Sequence, residues 1–294
     1  MESIRALLKE AAEVLKKNIN TQTPILDAEL LLIHVLGKTG LKLDRVRLVT
    51  QQDTLVDPET AGSYRAIVRE RSLGKPVQYI TGIQEFMGLE LFIEPGVLIP
   101  RPDTEITVEK VIALSKGMER PVIIDMCTGS GAIAVSLAGH IPEASLWAVD
   151  ISAKALECSR TNVGRLGLEN RVRLLKSDLF ANLRGRGLEG AVDIIVSNPP
   201  YIQSDAIPGL GAGVRDYEPH LALDGGADGL VYYKSIIRDS VDFIKSNGIL
   251  AFEIGYDQGA AVRSIMESSG YFCCIDIEKD LAGYDRCIWG YRKQ

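Results

Sequence analysis

The chain is poor in the residues that metal and redox chemistry need. Three histidines (His34, His140, His220) lie far apart in 294 residues, and five cysteines (Cys127, Cys158, Cys273, Cys274, Cys287) match neither zinc-ligand spacing nor the disulfide framework of a small secreted domain. No metal site is therefore expected, and the cysteines read as reduced thiols of a cytoplasmic protein. Long apolar runs are also missing: none approaches the roughly 18 residues of a membrane span. The first residues, MESIRALLKEAAEVLKK, mix charge with apolar residues at helical spacing and lack the apolar core of a signal peptide. Positive charge is not in excess. A formal charge of −6 and a pI near 5.3 argue against a surface built on many phosphate contacts, so neither a membrane nor direct nucleic-acid binding is expected.

What is present suffices for one large core and a small one, since 46% of the residues are hydrophobic. Residues 1–75 read as a small helical bundle. Ile4, Leu7, Leu8, Ala11 and Leu15 form an i, i+3, i+4, i+7 stripe, and Thr23-Pro24 and Asp57-Pro58 each pair an N-cap residue with proline at the first helical position. This segment carries 12 Lys/Arg against 10 Asp/Glu, a net of +2 that leaves −8 on the remainder. Such a mildly basic module is either a solvated surface or a face for an acidic partner. Residues 76–103 alternate apolar and polar around Gly82 and Gly88 and then pass three prolines, as a β-hairpin linker would.

From 104 to 294 the pattern changes to strands separated by helices. Seven strand segments can be marked: PVIIDMC, SLWAVDI, VRLLKSD, VDIIVSN, GILAFEIG, YFCCIDIE and RCIWGYR. Helices are expected at SGAIAVSLAGH, SAKALECSRTNVGRLG, GLVYYKSIIRDSVDFIKSN and QGAAVRSIMESSG. The alternation predicts an α/β, Rossmann-like sheet, mostly parallel and covered on both faces. The last two strands have only KDLAGYD between them, so the final strand should run antiparallel.

IIDMCTGSGAIA places Asp125, Gly129 and Gly131 where the first strand turns into a helix, and small residues there let a ligand approach a helix N-terminus. Gly129-Ser130-Gly131 with Ala134 satisfies the dinucleotide fingerprint, and Asp150 ends the second strand where a ribose-binding carboxylate belongs. Both NAD and S-adenosylmethionine present an adenosine ribose, so this turn alone leaves both open. Asp125 favours S-adenosylmethionine: its carboxylate would repel a pyrophosphate but would receive the methionine ammonium, directly or through water. Asp178 fits an acceptor for the adenine amino group and equally a helix N-cap, with Leu179 as an apolar wall.

VSNPPYI, residues 196–202, ends an apolar strand in two prolines, which cannot donate ladder hydrogen bonds. Asn198 then offers a side-chain oxygen at the carboxyl edge of the sheet, and Pro199, fixed by Pro200, offers a carbonyl without an N–H. Two acceptors match the two protons of an NH2 group, and the Tyr201 ring can lie against the plane that carries it. The implied chemistry is methyl transfer to a conjugated amide-like nitrogen. Its lone pair is delocalised, as the carboxamide rotation barrier of about 18–20 kcal/mol shows, so acceptors that strengthen as N–H becomes positive assist the transition state.

At these residues the sequence resembles the S-adenosylmethionine-dependent amino-methyltransferases with an Asn/Asp-Pro-Pro-aromatic motif. More narrowly it is similar to the HemK-type protein-(glutamine) methyltransferases of peptide chain release factors. The resemblance runs through IPRPDTE, DMCTGSGAIA, SNPPYI and YEPHLALDGGADGLVYY. It implies a seven-stranded methyltransferase sheet behind a helical module that docks the release factor, and N5 methylation of the Gly-Gly-Gln glutamine. It implies that Asn198 and the Pro199 backbone hold that amide, with Pro200 and Tyr201 shaping the pocket. Cofactor contacts carry over to Cys127, Thr128, Gly129, Ser130, Gly131, Asp150 and Leu179 after Asp178, with Asn198 adjoining. Cys127 stands where glycine is common, acceptable if φ there is negative, and Leu179 where an aromatic is frequent. A monomer is the default expectation. The rival readings are another NH2 substrate, such as a ribosomal protein glutamine or an exocyclic base amine, a NAD-dependent oxidoreductase, and a binding module without catalysis.

Overall fold

The computed structural model describes residues 1–19, 21–41 and 43–294. They form two compact units, one of Met1–Ile83 with Gly211–Tyr217 and one of Gln84–Leu210 with Glu218–Gln294.

The first unit is helical, with helices at Ile4–Asn18, Pro24–Lys38, Arg45–Thr50, Pro58–Ser72 and Val77–Thr81. Ile4, Leu7, Ala11 and Leu15 of the expected stripe are buried against Leu31, Leu32, Leu48 and Tyr64, while Leu8 sits at the margin of that core. Asp57 caps as expected, accepting from Thr60 N at 2.9 Å. Thr23 does not cap. Its backbone (φ −127°, ψ 46°) lies outside the extended region a cap needs, and its hydroxyl donates instead to Asp27 Oδ1 at 3.0 Å.

The linker reading is corrected in its first half. Val77–Thr81 is a helix turn, ended by Gly82 in the left-handed region (φ 77°). The hairpin follows, Ile83–Phe86 with Leu89–Phe92, and its two-residue turn has positive φ at both Met87 (51°) and Gly88 (73°). The prolines then lead into a helix, Pro102–Leu114, with proline at its start and Asp103 and Glu105 in its first turn. The compact helical unit thus extends to Ile83, eight residues beyond the expected 75.

In the second unit the strands are β1 (Val122–Met126), β2 (Ser145–Asp150), β3 (Val172–Lys176), β4 (Val192–Ser197), β5 (Ile244–Glu253), β6 (Phe272–Lys279) and β7 (Asp285–Arg292). Their order is β6-β7-β5-β4-β1-β2-β3. Every pairing from β5 to β3 is parallel, and β7 runs antiparallel to both β5 and β6. The seven segments and the antiparallel last strand stand as the sequence suggested. Adjacent residues of β1, Ile123 and Ile124, enter separate buried clusters, as do Ile194 and Ile195 of β4, which is why both strands read as unbroken apolar runs. One element is shorter than expected: the helix expected over 229–247 spans Val231–Ser240, and β5 begins at Ile244, where pairing with Val192 and full burial of Phe243 and Ile244 override the helical pattern. Chain order reverses between β1 and β4. Their carboxyl ends therefore flank a crevice.

Candidate functional site

A cavity opens at that crevice. Of the residues singled out in the sequence, Cys127, Thr128, Gly129, Ser130, Asp150, Asp178, Leu179, Asn198 and Pro200 line it. Asp125, Gly131, Pro199 and Tyr201 do not.

The glycine turn is held by carboxylates. Asp150 Oδ2 accepts from Gly129 N at 2.8 Å, and Oδ1 accepts from Ser152 N at 2.8 Å. Burial raises the Asp150 pKa above the usual carboxylate range, opposed by these backbone donors. A carboxylate fixed in this way keeps further lone pairs for hydroxyl donors. Gly129 has φ 57°, and a Cβ built there meets nothing within 4 Å, so this part of the turn leaves room for a ligand. Gly131 answers a different need. With φ 83°, its added Cβ would lie 2.4 Å from Ser159 Oγ, so it serves the packing of the Ala153–Arg165 helix.

Asp125 corrects an expectation. Its Oδ2 accepts from Thr128 Oγ1 at 2.5 Å and from Ala134 N at 3.1 Å, and the side chain is wholly buried behind the turn. Direct contact with an ammonium in the cavity is not offered by this placement; the carboxyl braces the turn. Burial pushes it up to about 7.

Cys127 also departs from expectation, and Leu179 shares its backbone geometry. Both have positive φ, 62° and 45°, so the condition under which cysteine would be free of strain at this position does not hold. A non-glycine residue in that region carries roughly 1–2 kcal/mol of strain. Burial pushes the Cys127 thiol well up, so it is a neutral wall group.

On the facing side, Ser197 Oγ donates to Met126 O at 2.6 Å and ties the end of β4 to β1. Asn198 follows, and its Nδ2 donates to Thr104 Oγ1 at 3.2 Å, which directs Oδ1 elsewhere. The Tyr201 ring is not on the cavity wall as expected. It packs into the core cluster beneath the sheet end, and its hydroxyl donates to Glu253 Oε1 at 3.3 Å. The aromatic ring that lines the cavity is Tyr232.

The motif segments that flank the loop have structural reasons. Arg101 of IPRPDTE donates to both carboxylate oxygens of the buried Glu218 of YEPH, at 2.6 and 2.7 Å. Ile202 N donates to Leu223 O and Gly225 N to Ile202 O. A Cβ at Gly225 would stand 2.7 Å from Tyr201 Cα, and one at Gly229 2.4 Å from Tyr201 O, so DGGADG is a bed on which Pro200 and Tyr201 lie. Gln258 Nε2 fastens the same loop through Tyr201 O at 3.0 Å. Thr104, Arg101, Glu253 and Gln258 were all missed in the sequence. Glu253 carried a usable signal: a lone charge at the carboxyl end of a buried apolar strand, the position Asp125 and Asp150 occupy on theirs.

Comparison with known proteins places this geometry. Residues 6–82 match the model of the PrmC N-terminal domain, and residues 107–209 that of the methyltransferase small domain. A release factor glutamine methyltransferase of Moorella thermoacetica is 42% identical over 292 residues, covering 99% of each chain. The chain belongs to the release factor glutamine methyltransferase family. A second member, from Clostridium acetobutylicum, is 40% identical over 289 residues, 98% of each chain. Among solved structures, the hMettl16 catalytic domain in complex with the MAT2A 3′UTR hairpin 6 has a TM-score of 0.54 at 15% identity, over 76% of this chain and 81% of that one, which shows the shared fold. Membership accounts for the co-occurrence of the helical unit, the glycine turn and the Asn-Pro-Pro-Tyr loop in one chain.

Proposed function

We propose that this protein transfers a methyl group from S-adenosylmethionine to the side-chain nitrogen, N5, of the glutamine in the Gly-Gly-Gln motif of peptide chain release factors. The observation that carries the site assignment is the Asn198 amide: its nitrogen is taken by Thr104, and its residue lines the same cavity as Gly129 and Asp150. S-adenosylmethionine supplies an electrophilic methyl group when bound. The open space at Gly129 and the anchored Asp150 carboxylate fit its adenosine ribose, with Leu179 and Asp178 on the wall for the base.

Asn198 Oδ1 accepts one N–H group of the glutamine amide from the cavity wall, and the Pro199 carbonyl is proposed as the acceptor of the other, although its residue does not line the cavity. As the nitrogen bonds to the methyl carbon, the carbon–sulfur bond of the sulfonium would break with S-adenosylhomocysteine as the leaving group, while positive charge grows on those N–H groups and both hydrogen bonds strengthen, which favours the transition state over the bound substrate. Holding the nitrogen in line contributes roughly 7–11 kcal/mol through effective molarity. No strong base is required, because the proton leaves after the methyl has arrived. Pro200 shapes the pocket, and Tyr201 supports it from behind. Among the described residues no helix is long and apolar enough to cross a membrane, and a cytoplasmic monomer that meets its release factor through the helical unit is the setting proposed.

The test is mass spectrometry of a purified release factor after incubation with this protein and S-adenosylmethionine. A gain of about 14 Da, one methyl for one hydrogen, is expected on the glutamine of the Gly-Gly-Gln peptide. Bound cofactor with no such gain would redirect the assignment to another NH2 substrate.

A further inference from the structure

Two of the large apolar side chains that line the cavity are also exposed, Ile151 at 46% and Leu221 at 51%. A solvated aliphatic group at the mouth of a site gains free energy when a ligand covers it. Ile151 follows Asp150 and so stands on the side given to the adenosine. Leu221 stands on the other side. It lies in the short 3₁₀ turn His220–Ala222, which is fixed at both ends. At one end the buried Glu218 is held by Arg101 at 2.6 and 2.7 Å; Arg101 opens the Pro102–Leu114 helix, whose first turn carries Thr104, the partner of Asn198 Nδ2. At the other end Ile202 N donates to Leu223 O at 2.9 Å and Gly225 N to Ile202 O at 2.8 Å, which joins the turn to the loop that carries Asn198. Within the turn, Ala222 N donates to Pro219 O, and the N–H groups of Leu223 and Asp224 both donate to His220 O. Leu223 is only 4% exposed. One leucine thus anchors the turn while the other is held out beside the substrate end of the cavity.

We propose that Leu221 is a specificity-determining residue for the protein substrate, packing against the main chain that flanks the target glutamine once that glutamine enters the cavity. The inference rests on the reading of Asn198 as the holder of the glutamine amide. The residues before that glutamine are Gly-Gly, which carry no side chains, so an aliphatic group standing out from the rim meets their methylene groups and peptide faces directly. A side chain added to the glycine next to the glutamine competes for the space that Leu221 fills. The contact lies away from the cofactor side of the cavity, so it acts on substrate affinity rather than on the methyl-transfer step.

The test compares steady-state methylation of a purified release factor by the wild type, Leu221→Met, Leu221→Ala and Leu221→Asp, with S-adenosylmethionine affinity by calorimetry and a thermal melt for each. Loss of the aliphatic contact in Leu221→Ala should raise KM for the release factor roughly 5- to 10-fold, and a carboxylate forced against the substrate chain in Leu221→Asp roughly 30-fold or more. Leu221→Met keeps the apolar reach and should stay within about 2-fold of the wild type. In all three, kcat and cofactor affinity should hold. A release factor with alanine in place of the glycine next to the glutamine should be a poorer substrate for the wild type by roughly 10-fold in kcat/KM, and Leu221→Ala should narrow that gap. An unchanged KM in Leu221→Asp, a loss that appears in cofactor affinity in place of KM, or an equal gap in the wild type and Leu221→Ala overturns the inference, while methylation of the glutamine by the wild type leaves the parent reading standing. No methylation of that glutamine by the wild type overturns both. If Leu221→Asp does not melt cooperatively, Leu221→Ala and the glycine comparison decide.

Discussion

The two loops that face each other across the cavity are opposites in hydrogen-bond character. The glycine turn is rich in backbone N–H groups and positive φ values, and it is organised by carboxylates placed behind and beside it, Asp125 and Asp150. The Asn-Pro-Pro-Tyr loop has two N–H groups removed by proline and is held from below by glycines and by Gln258. One side is a donor surface tuned with buried acid; the other is an acceptor surface. A methyl transfer uses that polarity, because one reactant carries a positive sulfonium beside ribose hydroxyls and the other loses a proton from an NH2 group.

The contrast is broken most severely on the acceptor side. Asn198→Ala is expected to lower turnover by roughly 100-fold or more while S-adenosylmethionine binding stays near normal, the result of losing a bond that matters in the transition state. On the donor side the emphasis reverses. Asp150→Ala should weaken S-adenosylmethionine by roughly 10-fold or more, as expected for a lost charge-assisted contact, and unchanged affinity by calorimetry would remove its ribose assignment. The glycines of the donor turn separate further. Gly131→Ala places a methyl against Ser159 at positive φ and should destabilise the fold by about 1–3 kcal/mol in thermal unfolding, whereas a wild-type melting curve would mean that the turn can shift. The smallest effect is expected at Cys127→Gly. Relief of its positive φ outweighs the added chain entropy of glycine, for a net gain of about 0.5–1 kcal/mol, and a loss of stability would show that thiol packing matters more than backbone strain.

What could be read in advance follows from how locally each feature is encoded. The seven strands, the antiparallel last strand and the glycine turn are written in contiguous residues and were legible. The place of Asn198 on the cavity wall was legible for the same reason, since it follows directly on the end of β4. The bonds of Asn198 to Thr104 and of Tyr201 to Glu253 were not, because they join segments 94 and 52 residues apart in the chain. The direction of the Tyr201 ring is set by the bed of Gly225 and Gly229, again a distant segment. Positive φ at Cys127 and Leu179 is invisible because neither residue type advertises the left-handed region that glycine would have marked. Val77–Thr81 misled for the reverse reason: five residues are too few to distinguish a helical turn from alternation.

The short stretch Gly211–Tyr217 has a practical consequence. It groups with the helical unit, where the Tyr217 hydroxyl donates to Leu73 O at 3.2 Å, although the chain on both sides of it belongs to the catalytic unit. The polypeptide therefore changes allegiance three times rather than once. A shortened chain begun at Gln84 would not be an autonomous enzyme fragment but one with a torn seam, seven residues exposed without the helices they lie on. Limited proteolysis in the hairpin would likewise give two pieces that stay stitched together, and a gene fusion or truncation planned from a single boundary would cut through a fold that has three.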